Sequence, residues 1–493
     1  MGKTRRSLMF SFVDRYGAAG LNLVGTLILA RLLSPRDFGI YSVAASAVVL
    51  VGVLRDFGVA NFLLQTHDIS DIVVRTAFTI SLPLSALCAA VLVAASDPVA
   101  RFYAEPAFTG LIPLLAAGFL LVPFGMPSTS LLQRKMEFGK LATINLACAT
   151  TSLLATVTLA VLGFGYMSFA WASLLASLVR VAVALAWRPC FWAFLPAMVR
   201  WREVAVFGGY ASATAIVNAF HDSLPQLIIG RMLGFGAVGT LGRAASVCQL
   251  PDRLFTNALQ PVLLPSFAEQ ARNTGDLKSA YLKAIAYMTA LQWPILICLA
   301  ILAEPAVRLL LGPQWMETTP LVRIMALASM SLFPAFLTYP VLVAAGAVRD
   351  TFVSSLLSIP PSLLLIYLAA GHGLQAVAAT QFITGPLQVY VALWFIRRHV
   401  AFGWSEFARP LLTSGVVALC SGAPAAAIIV AEGFPHDLPL ATALLAAAAA
   451  AAGWLCGLLA TAHPLVAELR SIGSQIWTTL SRPVQRLGAW IPR

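Results

Sequence analysis

Leu27-Ile28-Leu29-Ala30-Arg31-Leu32-Leu33 is answered 200 residues later by Leu227-Ile228-Ile229-Gly230-Arg231-Met232-Leu233. In the same ungapped register Gly39 meets Gly239, and Ala44-Ala45-Ser46 meets Ala244-Ala245-Ser246. Across 27–46 and 227–246, eight of twenty positions are identical, more than shared composition gives. An internal repeat in a chain that crosses a membrane many times marks two bundles facing each other across a substrate pathway. The pattern therefore points to a transporter.

The chain is that kind of protein. Of its 493 residues 59% are hydrophobic and only 11% charged, where soluble domains carry about 25% charge. Apolar runs fall at 10–33, 38–62, 73–95, 108–132, 141–162, 165–187, 205–230, 237–264, 280–303, 318–344, 351–370, 374–396, 408–431 and 438–461. Each is long enough for a membrane helix of roughly 20 residues, so the expected fold is all-α and polytopic, with about 14 spans. Lys3, Arg5 and Arg6 ahead of the first run read as a signal anchor without a cleavage site. Seven scattered cysteines without a CxxC pair are apolar filler.

Charge sets the orientation. With the N-terminus inside, twenty-one of the 32 lysines and arginines lie on inner loops and tails. Five (Arg31, Arg36, Arg101, Arg231, Arg308) lie outside, and six remain within spans. Such a bias places both termini in the cytoplasm and accounts for the net charge of +12 without nucleic acid. The repeat also runs on. Asp56 and Asn61 correspond to Asp252 and Asn257, Asp97-Pro98 to Glu304-Pro305, and the Gly163/Gly165 turn to Gly371/Gly373. The expected division is a six-helix lobe over 1–187, an interfacial linker over 188–204 and a second six-helix lobe over 205–400. Helices 13 and 14 follow over 401–462, then a basic amphipathic tail over 463–493.

Ionisable residues inside spans are costly unless they line water or find partners, and so nominate a pathway. They concentrate on helices 1, 2, 7 and 8: Asp14, Arg15, Arg55, Asp56, His221, Asp222, Arg243, Asp252 and Arg253. Arginine predominates. A guanidinium keeps its charge when partly dehydrated and grips phosphate in bidentate fashion, which suits an anionic head group. The plainer reading stays open, with Arg15, Arg55 and Arg253 snorkelling to head groups and Arg31 and Arg231 marking structural helix ends. Asp14, His221 and Asp222 are the candidates for ion or proton coupling. Pro225, Pro251, Pro294, Pro360 and Pro361 are candidate kinks. The chain has no Walker lysine motif, no HExxH and no cysteine–histidine cluster, so neither a cofactor nor a metal is expected. No loop is long enough for the acid-bearing domain of a glycosyltransferase.

Three stretches carry a resemblance. Ala30-Arg31-Leu32-Leu33-Ser34-Pro35-Arg36-Asp37-Phe38-Gly39-Ile40-Tyr41 resembles the opening signature of bacterial polysaccharide exporters of the Wzx flippase type. Arg55-Asp56-Phe57-Gly58-Val59-Ala60-Asn61 is similar to the end of that family's second helix. Glu304-Pro305 through Leu311-Gly312-Pro313-Gln314-Trp315 is similar to its join of helices 9 and 10. The resemblance implies the V-shaped fold of the multidrug/oligosaccharidyl-lipid/polysaccharide superfamily, with two six-helix lobes and two extra helices. It implies transfer of undecaprenyl-pyrophosphate-linked oligosaccharide from the cytoplasmic to the periplasmic leaflet of the inner membrane, for exopolysaccharide or lipopolysaccharide synthesis. A cationic cavity would map onto Arg15, Arg55, Arg243 and Arg253. The partners it implies are the lipid-linked substrate, membrane lipids and, for the tail, a polysaccharide polymerase or chain-length regulator. A cation-coupled multidrug exporter and a membrane-embedded polysaccharide polymerase are the alternatives.

Overall fold

The computed structural model describes residues 17, 20–56, 58–66, 70–251, 277–433 and 438–470. Through the membrane-spanning first half run α1 (Gly20–Leu32), α2 (Pro35–Asp56), α3 (Val59–Gln65), α4 (Asp71–Tyr103), α5 (Ala107–Arg134), α6 (Phe138–Val161) and α7 (Met167–Trp187). Then come α8 (Trp201–Met232), α9 (Phe235–Cys248), α10 (Leu277–Ile301), α11 (Ala303–Leu310), α12 (Thr319–Ser329) and α13 (Phe333–Ala344). The last are α14 (Val348–Ala370), α15 (Leu374–Ala379), α16 (Gln381–His399), α17 (Trp404–Ala431) and α18 (Leu440–Ala460). Ten helices among the described residues are long and apolar enough to cross a membrane. With no water at that depth, a helix is one of the few ways to satisfy every backbone group.

All fourteen apolar runs are largely helical over their described parts, but four are not single helices, that at 237–264 being interrupted at Gln249. The run at 38–62 ends at Asp56 and restarts at Val59 because Gly58 takes a left-handed conformation, φ 59°. The run at 318–344 breaks after Ser329, and Pro334 sits in the first turn of α13, where a proline starts a helix but does not continue the preceding one. The run at 374–396 is divided at Thr380. Pro225, Pro294, Pro360 and Pro361 lie inside helices that run on through them. Both expected glycine turns form, with Gly163 at φ 87°, Gly165 at 52° and Gly373 at 101°.

The chain divides into two compact units. The first comprises 1–243 with the short returns 308–318 and 359–377. Its larger core joins Val43, Ala44 and Val48 of α2 to Phe108, Leu111 and Phe119 of α5, Ile229 of α8, Val238 of α9, Ala370 of α14 and Val377 of α15. A second core gathers Val59, Leu63, Val73, Val74, Leu131, Cys190 and Val204. There the 188–204 segment is tied to α4. Arg75 donates to the carbonyls of Leu195 and Pro196, while the hydroxyls of Thr79 and Thr76 accept from the N–H groups of Ala197 and Val199.

The second unit comprises 244–307, 319–358 and 378–493. One core joins Tyr281, Ile285, Phe333, Leu337, Val341, Phe395, Ile396 and Phe407. The terminal hairpin α17–α18 packs closely, since a Cβ on Gly453 would overlap the carbonyl oxygen of Cys420; small residues allow such approach between membrane helices. Trp454 Nε1 donates to the Ala290 carbonyl at 2.9 Å, and Thr289 donates to Ser414 at 2.8 Å. The start of the basic tail packs into a separate core of this unit, where Leu465 is buried with Ala290, Val417 and Leu458, and His463 is buried too. The tail beyond 470, with Trp477 and Trp490, lies outside the described residues.

Two outcomes test this packing. Thr76 is fully buried, and Thr76→Val keeps its shape while leaving the Val199 N–H without its acceptor, a loss of about 1–3 kcal/mol. The thermal midpoint of the purified Thr76→Val protein in detergent should fall, and an unchanged midpoint would mean that water replaces the hydroxyl. His463 Nδ1 accepts the Leu465 N–H at 3.2 Å, so that nitrogen is unprotonated, and burial pushes the imidazole below its usual range. Its folded-state pKa is lowered, so the contribution is whole above the ordinary histidine range and lost as pH falls through it. The midpoint should drop between about pH 7 and pH 5, and His463→Asn should flatten that slope.

Candidate functional site

Two of the arginines singled out from the sequence fall in described surroundings, and these differ. Arg55 sits in the last turn of α2, where a cation complements the helix dipole. The break at Gly58 opens a cavity of about 390 Å³ beside it, bounded by Asp56, Val59, Ser81, Val122, Met126 and Ala215. The guanidinium lies 4.3 Å from the ring centre of Phe119, a geometry that holds a cation at a low-dielectric wall. Nε and Nη2 both donate to Asp56, at 2.9 and 2.5 Å. The Arg55 side chain is 16% exposed and that of Asp56 63%. The arginine is thus held inside while its counter-ion stands in the open.

Such a site can take an anion. The carboxylate of Asp56 can turn to water while two phosphate oxygens replace it on the fork, trading one charge-assisted pair for another. Ser81 in the cavity wall was missed by reading charges alone, because a serine in an apolar helix looks like any other. Ser46 donates to Gln226 at 2.8 Å and ties α2 to α8.

Arg243, on α9, stacks on Phe38 with 3.6 Å to the ring centre and lies 6.0 Å from that of Trp315. This is where two of the sequence signatures meet. Ser34 caps α2: its hydroxyl and N–H both bond Asp37, and Asp37 N–H returns a bond to the Ser34 hydroxyl. Arg36 pairs with Glu105 at 2.7 Å. Gln314 donates to the Ala30 and Leu33 carbonyls, and Trp315 Nε1 donates to Ala30 at 2.6 Å. The opening signature and the helix 9–10 signature are therefore two sides of one joint.

On α8, His221 has a buried Nδ1 without a hydrogen-bond partner among the described residues, and Asp222 is exposed. Asp14, Arg15, Asp252 and Arg253 lie outside the described residues. Among the described residues, no group of three or more histidine, cysteine or acidic side chains could hold a metal.

A family model described as "Polysaccharide biosynthesis protein" matches residues 28–320, more than half of the chain. The lipopolysaccharide biosynthesis protein WzxC of Escherichia coli K12 is 25% identical over 337 residues, covering 66% of this chain and 67% of that protein. The succinoglycan biosynthesis transport protein ExoT of Rhizobium meliloti is 28% identical over 345 residues, 69% of each. Among solved structures, the lipid II flippase MurJ in an inward closed conformation superposes with a TM-score of 0.74 at 13% identity, over 93% of this chain and 100% of that one. An inward-facing multidrug resistance MATE transporter of the MOP superfamily gives 0.60 at 14% identity, over 80% and 94%. The all-helical fold is thus that of the flippases and multidrug exporters, and the chain belongs to the polysaccharide biosynthesis family of multi-pass membrane transport proteins, not to an enzyme family.

Proposed function

We propose that this protein carries undecaprenyl-pyrophosphate-linked oligosaccharide repeat units from the cytoplasmic to the periplasmic leaflet of the inner membrane, for exopolysaccharide or lipopolysaccharide synthesis. A pyrophosphate-sugar head group loses its water on entering about 30 Å of hydrocarbon, so the carrier must supply replacement hydrogen bonds while the polyprenyl tail stays in lipid. The observation that carries the reading is Arg55, a largely buried cation at a cavity wall whose acidic neighbour faces outward. A drug exporter for cations would want the opposite arrangement, with the acid inside. Arg15, Arg243 and Arg253 are the further cationic candidates. The excess of lysine and arginine on the inner loops supports cytoplasmic termini, and in that orientation alternating access opens the path first inward and then outward. Asp14, His221 and Asp222 are the proposed coupling groups.

The direct test is lipid extraction from cells depleted of the protein. Polyprenyl-pyrophosphate-oligosaccharide should accumulate on the cytoplasmic side while polymer is lost, and its mass identifies the sugar. Normal lipid-linked intermediates would overturn the proposal and favour drug export, to be followed by cation uptake. Arg55→Ala should cut export about 10- to 100-fold, the equivalent of one lost charge-assisted hydrogen-bond pair, with membrane abundance unchanged. Arg55→Lys keeps the charge but not the fork and should fall between. Equal export by all three would remove Arg55 from the site. Asp222→Asn should lower transport driven by an imposed pH or sodium gradient; the same rate as wild type under every gradient would exclude it from coupling.

A further inference from the structure

The two copies of the repeated signature fit one another. Gly39 and Gly239 correspond, and so do Pro35 and Phe235. A Cβ on Gly39 would overlap the carbonyl oxygen of Phe235, and a Cβ on Gly239 would overlap that of Pro35. Each copy's glycine thus receives the other copy's first helical carbonyl.

The surrounding contacts pair in the same way. Asp97-Pro98 and Glu304-Pro305 place 102 opposite 309 and 108 opposite 315 in the repeat. Arg31 donates to the Leu309 carbonyl at 3.1 Å, and Arg231 lies 5.1 Å from the ring centre of Phe102. The ring of Trp315 stands edge-on to Phe38 at 5.5 Å, and that of Phe108 stands edge-on to Phe235 at 5.5 Å. Phe38 corresponds to Val238 and Phe235 to Pro35, so here the reciprocity is that each aromatic meets the start of the other copy's helix. Every one of these residues lies in the first compact unit. The recurrence of Arg31 as Arg231 thus reflects reciprocal use.

We infer that the duplicated signature encodes a self-complementary clasp, in which the start of helix α2 and the start of helix α9 close on each other through Gly39 and Gly239 and part when the path opens at that end. A two-fold contact uses the same patch twice, so one duplicated stretch supplies both faces. Because backbone meets backbone at the glycines, the joint seals without interlocking side chains there and can part and close again. The turns joined to this core, α1–α2, α4–α5, α6–α7, α8–α9 and α14–α15, are outer turns in the orientation proposed above. The clasp is therefore the periplasmic gate, an assignment that rests on that orientation.

The test places a reporter, Ala30→Cys, in a chain whose native cysteines are replaced by serine; Ala30 is fully buried at the joint. A membrane-impermeant maleimide added to right-side-out vesicles should label it slowly. Gly39→Leu and Gly239→Leu, each alone, should raise labelling about tenfold by shifting the closed–open equilibrium and should reduce polymer export. Gly236→Leu, on the same helix but facing open space, should change neither. Should a leucine variant be missing from the membrane, Gly39→Ala and Gly239→Ala introduce the overlapping Cβ alone. Unchanged labelling in glycine variants present at normal abundance overturns the clasp. Faster labelling only in inside-out vesicles keeps the clasp but overturns the orientation, while loss of labelling differences with lipid-linked intermediates still accumulating on depletion separates this inference from the substrate assignment.

Discussion

The carbonyl end of α1 is the point on which the first unit depends. A helix terminus leaves its last carbonyls without intrahelical partners, and in a membrane protein that deficit is expensive. Here Ala30 and Leu33 are served by Gln314 and Trp315, side chains from a stretch more than 280 residues away. Trp315 is almost wholly buried, so its indole N–H needed an acceptor as much as the carbonyls needed donors. Each deficit cancels the other, and the short return 308–318 becomes part of the unit formed by the first 243 residues.

From that joint the start of α2 gains its detail. Ser34 and Asp37 cap the helix, Pro35 fits its first turn, Arg36 reaches Glu105, Phe38 faces Trp315 and Arg243, and Gly39 yields space to a carbonyl. Six successive residues each have a separate physical task. This density explains why the stretch stands out in a chain otherwise filled with interchangeable alanine, leucine and valine. The same residues that satisfy the helix end also shape the closed joint, so local capping and large-scale closure share one set of bonds.

The candidate binding cavity follows a different logic. Its arginine is placed by a helix that ends early, at a glycine with positive φ, and by an aromatic wall on a neighbouring helix. Burying a guanidinium is tolerable because it stays hydrated at one edge, stacks on a ring and keeps a carboxylate in reach. The arrangement leaves the cation ready for a second anion without leaving it unpaired beforehand. That is a useful property in a carrier, which must release its cargo as well as hold it.

Hydrophobic runs of about 20 residues and the imbalance of loop charge determine a polytopic helical chain, because hydrocarbon admits little else. The internal repeat and the motifs at 30–41, 55–61 and 304–315 were equally legible, since their residues have no apolar substitute. The sequence could also nominate Arg55, because a charge in an apolar helix is conspicuous, but not Ser81, which is inexpensive in a helix wherever it sits. Four helix breaks escaped the hydropathy pattern, as a turn at Gly58 or before Pro334 leaves the surrounding residues just as apolar. Only the tertiary structure decided that two motifs more than 260 residues apart, one in each repeat, make one joint, and that Arg243 stacks there while Arg55 lines a cavity. Sequence patterns report the local environment of each helix, whereas pairing between distant helices depends on shape and on which hydrogen-bonding deficits can cancel.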